Sequence, residues 1–159
     1  MLRFEVTIED EEAIDAWAAH LARVLCPGDV VGLDGSLGAG KTTLVRAIAR
    51  SIGADARLVA SPTYVIVHEY PIRAGLHLIH IDAYRLAGDD DLDALGLDRV
   101  GEDAITVIEW AERLGDALPP ECARIRIEIV DEHRRELLVE LPDAWRSRPG
   151  IESLGADLI

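Results

Sequence analysis

Apolar positions change their period along this chain, and each change marks an element. Residues 2–7, LRFEVT, alternate apolar and polar side chains with the two-residue period of a half-buried strand. A helix follows over EDEEAIDAWAAHLARVLC, where Ile14, Trp17, Leu21 and Leu25 share one stripe. Acids crowd its start, the end at which the helix dipole favours negative charge. Pro27, Gly28 and Asp29 break this helix, and DVVGLDG then lacks alternation, as a short strand buried on both faces does. Beyond a glycine-rich loop, KTTLVRAIARSIG reads as a second helix closed by Gly53.

The second half carries more strands. ASPTYVIVHEYPI opens as a proline-containing loop and continues as a strand, and RAG turns the chain into LHLIHID. YRLAGDDDLDALGLDRVG is an acidic stretch, helical or irregular. DAITVIEW is another buried strand, and AERLGDALPP a short helix ended by two prolines. CARIRIEIVDEHRRELLVELP alternates as a hairpin with its turn near residues 131–134. Strands alternating with helices early and a hairpin late predict a three-layer α/β domain with a mixed parallel and antiparallel sheet. One domain is expected over residues 1–142. From Asp143 no firm period remains, and residues 143–159 are expected to form a loosely ordered tail.

Composition narrows the class. A chain of 159 residues with 49% hydrophobic and 29% charged residues fits a soluble domain able to bury its own core. It contains no apolar run of membrane-spanning length and no signal-peptide core at its start, so a cytoplasmic protein without a membrane partner is expected. Two distant cysteines outside any metal-ligand spacing fit a reducing compartment. The formal net charge of −14 repels phosphate backbones, and seven aromatics leave little for a base-stacking surface. Any link to a nucleic acid is therefore expected to run through another protein.

Among 16 basic residues only one is lysine, and it lies in GSLGAGKT, residues 35–42. This segment fits G-x-x-x-x-G-K-[ST] with Gly35, Gly40, Lys41 and Thr42 in register, between a predicted strand and a predicted helix. Glycines let backbone N–H groups turn inward around a phosphate, and the helix start adds its dipole. An ammonium is a compact point charge that fits between phosphate oxygens inside a narrow loop, where a planar guanidinium is too wide. Thr42 offers a hydroxyl to Mg²⁺. Such a site also needs an acid at the end of a neighbouring strand, and two stand there: Asp82 ends LHLIHID and Glu109 ends AITVIE. His77 and His80, three apart on a strand, point to opposite faces and read as core or edge residues, not a metal pair.

Taken together and in order, GSLGAGKTTLVR, SPTY, HIDAYRL and VIEW resemble the TsaE (YjeE) family, over about residues 10–141. Its members are bacterial P-loop ATPases of the pathway that places threonylcarbamoyl on adenosine 37 of tRNA. The resemblance implies a single P-loop domain that binds ATP and Mg²⁺. It implies that Gly35, Gly38, Ala39, Gly40, Lys41, Thr42 and Thr43 line the nucleotide phosphates, with Thr42 and Glu109 on the metal. Thr63 in SPT would act from a switch-like loop near the γ-phosphate. Asp82 would order the attacking water or one on the metal, and with Lys41 and Thr63 would make up the catalytic set. Glu11 at the first helix and Arg134 in the hairpin turn would approach the adenine, with Arg135 an equal alternative to Arg134. Trp110 is left between packing and a partner contact. The implied partners are the TsaD and TsaB proteins, whose turnover the ATPase supports, with tRNA contacted only indirectly. Ser36 departs from the acid common at that step of the family loop. A small-molecule P-loop kinase is the main alternative, but Arg85 and Arg99 in the acidic segment do not form the arginine cluster of a kinase lid. A passive nucleotide-binding module would have little need of both Asp82 and Glu109.

Overall fold

The computed structural model describes residues 1–60, 67–86 and 101–155. Its seven-stranded sheet has the order β1-β7-β6-β2-β5-β4-β3, where β1 is Leu2–Ile8, β2 Val30–Asp34, β3 Val67–Pro71, β4 His77–Asp82, β5 Ala104–Glu109, β6 Ala123–Ile129 and β7 Arg135–Leu141. β2 runs parallel to both β5 and β6, and β4 parallel to β5, while β1, β7 and β3 join antiparallel. The mixed sheet of a single α/β domain is therefore present. The parallel centre explains the solid apolar runs: every residue of β2 and of β5 is buried, because both faces are covered.

Helices α1 (Glu11–Val24) and α2 (Lys41–Ile52) cover one face. Trp17, Leu21, Leu44 and Ile48 pack there against Leu33, Ile125 and Leu137. Asp10 caps α1 by accepting from the Ala13 N–H at 2.8 Å. On the other face Ala111, Leu114, Leu118 and Leu86 cover Ile81 and Ile108. The covering is close: a Cβ on Gly32 of β2 would lie 2.8 Å from the Ala111 Cβ. The short helix expected over AERLGDALPP is instead a pair of 3₁₀ turns, broken at Gly115, whose φ of 48° no right-handed helix accommodates. Both cysteines are free. Among the described residues no helix is long and apolar enough to cross a membrane.

The expected loose tail is a correction as far as residue 155. Residues Asp143–Ser147 and Ile151–Leu154 form 3₁₀ turns that return to the helical face. Trp145 and Leu154 are buried, and the Trp17 indole N–H donates to the Leu154 carbonyl at 3.1 Å. Arg148 stacks on the Trp145 ring and pairs with both Asp29 oxygens, at 2.6 and 2.9 Å. Single 3₁₀ turns carry no helical stripe, so these anchors had no period to announce them. Trp145→Ala should cost about 3–5 kcal/mol of stability, read as a lower urea midpoint. A midpoint equal to that of the unsubstituted chain would contradict the packing.

Three strand ends meet at one edge of the sheet. Asp82 of β4 is in register with Glu109 of β5, and Glu109 with Leu33 of β2, so the loop leaving β2 begins beside both acids. Ligand sites of open α/β sheets lie outside such carboxyl ends.

Candidate nucleotide site

The loop from Gly35 to Gly40 is built by backbone conformations only glycine takes easily. Gly35, Gly38 and Gly40 have φ of 147°, 79° and 107°. Gly35 faces a second constraint, since a Cβ there would stand 2.6 Å from the Ile127 carbonyl oxygen and 3.1 Å from the Ala39 Cβ. At Gly38 and Gly40 no atom of the described residues lies within 4 Å of that position. Gly40 caps α2 without a side chain, and the first turn of α2 contains no acid. Its unbonded N–H groups, those of Thr42 and Thr43 included, are therefore left for an anion.

Lys41, the first residue of α2, folds its side chain back under this loop. Its Nζ donates to the carbonyls of Gly35 at 2.6 Å and Ser36 at 3.0 Å, and sits 3.7 Å from the centre of the Trp110 ring. The side chain is nearly wholly buried. Burial pushes the ammonium pKa below that of a free lysine, while Glu109, Asp82, Glu112 and Asp34 pull it back up. Trp110 holds a left-handed backbone (φ 58°) and meets Tyr84 at a tilt of 52° with ring centroids 4.9 Å apart. It packs, half-buried, against the cluster around Ile81 and Ile108 and presents its π-face to the loop lysine.

Thr42 and Glu109 meet directly. The threonine Oγ1 lies 2.9 Å from Glu109 Oε1 and 3.1 Å from Oε2, linking the start of α2 to the end of β5. Glu109 is buried and also receives His80 Nε2 on Oε1 at 2.8 Å. Asp82 stands at the rim of the next strand, where its carboxylate accepts the Tyr84 N–H at 2.9 Å. Lys41, Thr42, Glu109 and Asp82 are therefore gathered at one strand edge. Thr63 lies outside the described residues, as does most of the acidic stretch after Leu86.

The two arginines of the hairpin part company. Arg134 is exposed and pairs with Asp131, Nε to Oδ2 at 2.6 Å; the Arg134 backbone N–H first, then this side chain and the His133 N–H, hold the Asp131 carboxyl well below the usual carboxylate range. Arg135 instead donates from Nε to the Ala39 carbonyl at 3.0 Å, inside the glycine loop, and from Nη1 to the Asp131 and Arg134 carbonyls. The residue touching the loop is thus Arg135. Glu11 is exposed at the start of α1, just beyond β1, whose Ile8 pairs with Arg135. Sequence reasoning passed over Asp34, which ends β2 and accepts the Glu112 N–H at 2.7 Å. Its signal was an acid immediately before the first loop glycine. It also passed over the Glu109 contact of His80.

The donor set fits an Mg²⁺–nucleotide. Among the described residues no three His, Cys, Asp or Glu side chains gather to hold a metal. Mg²⁺, however, commonly takes only one or two protein oxygens and leaves the rest to water and phosphate. A half-buried threonine hydroxyl against a buried carboxylate, beside the glycine loop, offers those two.

Comparison with known proteins shows the family. The family model described as "Threonylcarbamoyl adenosine biosynthesis protein TsaE" matches residues 8–137. A Streptomyces coelicolor protein named "tRNA threonylcarbamoyladenosine biosynthesis protein TsaE" is 39% identical over 133 residues, 79% of this chain and 89% of that one. A protein of the same name from Aquifex aeolicus is 37% identical over 136 residues, 85% of this chain and 94% of the relative. The crystal structure of Bacillus subtilis YdiB superposes with a TM-score of 0.75 at 28% identity, covering 96% of this chain and 94% of that structure.

Proposed function

The chain belongs to the TsaE family, and from that premise we propose that it is the ATPase of a tRNA threonylcarbamoyladenosine-forming system. The observation that carries the reading is the Thr42–Glu109 hydrogen bond at 2.9 Å, which joins the phosphate loop to a strand-end acid. In this reading ATP places its phosphates in the Gly35–Thr43 loop. The N–H groups of Gly38, Gly40, Lys41, Thr42 and Thr43 bind them, that of Ala39 donating to the Ser36 carbonyl at 3.0 Å, and the Lys41 ammonium exchanges its loop carbonyls for phosphate oxygens. Thr42 and Glu109 would hold Mg²⁺, and when bound it would supply positive charge toward the phosphates. Asp82, one strand over and in register with Glu109, orients the attacking water, and Thr63 completes the γ-phosphate side. Arg135 braces the loop from the hairpin, while Glu11 and Arg134 border the adenine end.

The partners are proteins of the TsaD and TsaB kind, met in the cytoplasm, with tRNA reached through them. An acidic chain of net charge −14 suits a protein partner better than direct contact with RNA. No arginine lies within residues 35–42, so the isolated chain should hydrolyse ATP slowly. A charge supplied by a partner is worth up to about 10³–10⁵ in rate. The test measures ATP hydrolysis and modified tRNA together, for the purified chain alone and with TsaD and TsaB. Slow hydrolysis alone, and multiple rounds of modification only with the chain present, are the expected results. Repeated turnover without the chain would sink the reading.

A further inference from the structure

We propose that His80 is a positioning residue, which fixes the rotation of the Glu109 carboxylate so that one chosen oxygen is left for a divalent cation. The inference rests on the reading of Thr42 and Glu109 as the metal pair and gives a role to the first residue of HIDAYRL, to which neither the resemblance nor the comparisons assign one.

Position comes first. Side chains alternate along a strand, so His80 and Asp82 share one face of β4, and the register sets His80 opposite Val107 and Asp82 opposite Glu109. His80 is wholly buried, one step deeper than the rim aspartate. A buried carboxylate needs donors, and Glu109 has two. They are not equivalent. Thr42 Oγ1 spans both oxygens, at 2.9 and 3.1 Å, and so leaves the rotation of the carboxylate undecided. His80 Nε2 reaches Oε1 alone, at 2.8 Å. Oε1 thus receives the imidazole and the shorter Thr42 contact, and Oε2, with only the longer Thr42 contact, is the oxygen left with a lone pair for a cation. Among the described residues the His80 Nδ1 has no hydrogen-bond partner, which suits an imidazole carrying its proton on Nε2.

A competing pull makes the restraint useful. Glu109 is the foremost carboxylate acting on the Lys41 ammonium. A carboxylate free to turn toward that charge would occupy the loop lysine and the metal position together. Anchoring Oε1 from behind holds Glu109 on Thr42 and leaves Lys41 to the loop carbonyls.

Two variants of similar polarity separate this role from packing. In His80→Gln the amide nitrogen of the new side chain can reach the place of Nε2, whereas in His80→Asn it reaches only that of Nδ1. Mg²⁺ is titrated by calorimetry into each protein bound to a non-hydrolysable ATP analogue, and analogue affinity is measured separately without metal. His80→Asn should weaken Mg²⁺ by about 10–100-fold and leave metal-free analogue affinity unchanged, while His80→Gln restores most of the loss. In the unsubstituted, metal-free protein, ¹⁵N NMR should show His80 as the Nε2–H tautomer. An Nδ1–H tautomer, or equal Mg²⁺ affinity in the two variants, overturns the inference alone. No Mg²⁺-linked analogue binding by the unsubstituted chain overturns it together with the reading of the site.

Discussion

Lys41→Arg should lose ATP affinity by on the order of 10²–10³-fold while keeping its positive charge, a loss of about 3–4 kcal/mol. The expectation follows from how little the loop can give. The lysine Nζ already fills the space between two carbonyls, at 2.6 and 3.0 Å, and an indole face at 3.7 Å. A guanidinium is planar and forked, and needs a wider gap with its donors in one plane. The loop cannot open to provide it. Gly35 stands against the Ile127 carbonyl with no room even for a Cβ, and Ala39 is tied by its carbonyl to Arg135. Either the guanidinium displaces the phosphates or it stays outside the cradle and contributes only weak, screened charge. Lys41→Ala supplies the comparison. If size is decisive, arginine and alanine lose similar affinity in calorimetric titration of ATP. Arginine retaining the affinity of lysine would refute the argument and make the lone lysine a matter of chain composition.

What could be read beforehand was whatever depends on local pattern. The buried parallel strands announced themselves because both their faces are covered, as at Val30–Asp34 and Ala104–Glu109. The glycine loop and the two strand-end acids were legible because their spacing is itself the chemistry. What depends on pairing between distant strands was not. Alternation correctly put His77 and His80 on opposite faces, but nothing local says that His80 faces Glu109, a contact made by the β4–β5 register. The hairpin arginines show the same limit at one residue's distance. Arg134 ends the expected turn and Arg135 follows it, yet Arg134 goes to Asp131 and Arg135 to Ala39. Trp145 and Leu154 stayed hidden for a third reason: each anchors a single 3₁₀ turn, too short for any period.

Glu109→Gln separates nucleotide binding from hydrolysis in opposite directions. The substitution keeps the shape of the side chain and an oxygen for Thr42 and His80, and removes one negative charge from beneath the phosphate loop. Without metal, that charge repels the triphosphate and attracts Lys41 away from it. Metal-free ATP affinity should therefore rise in the variant. With Mg²⁺ the balance reverses, because the cation loses its buried carboxylate partner and the charge that developed on the phosphate oxygens is poorly held. Hydrolysis, measured with the partner proteins at saturating ATP and Mg²⁺, should fall by at least about 10²-fold. The opposed signs are what make the result diagnostic. A purely structural Glu109 would lose both properties together through a destabilised β5 end, and the thermal midpoint would fall with them. An acid outside the metal site would change neither. Only a residue that meets the nucleotide through the cation tightens the bare triphosphate and disables its cleavage at once.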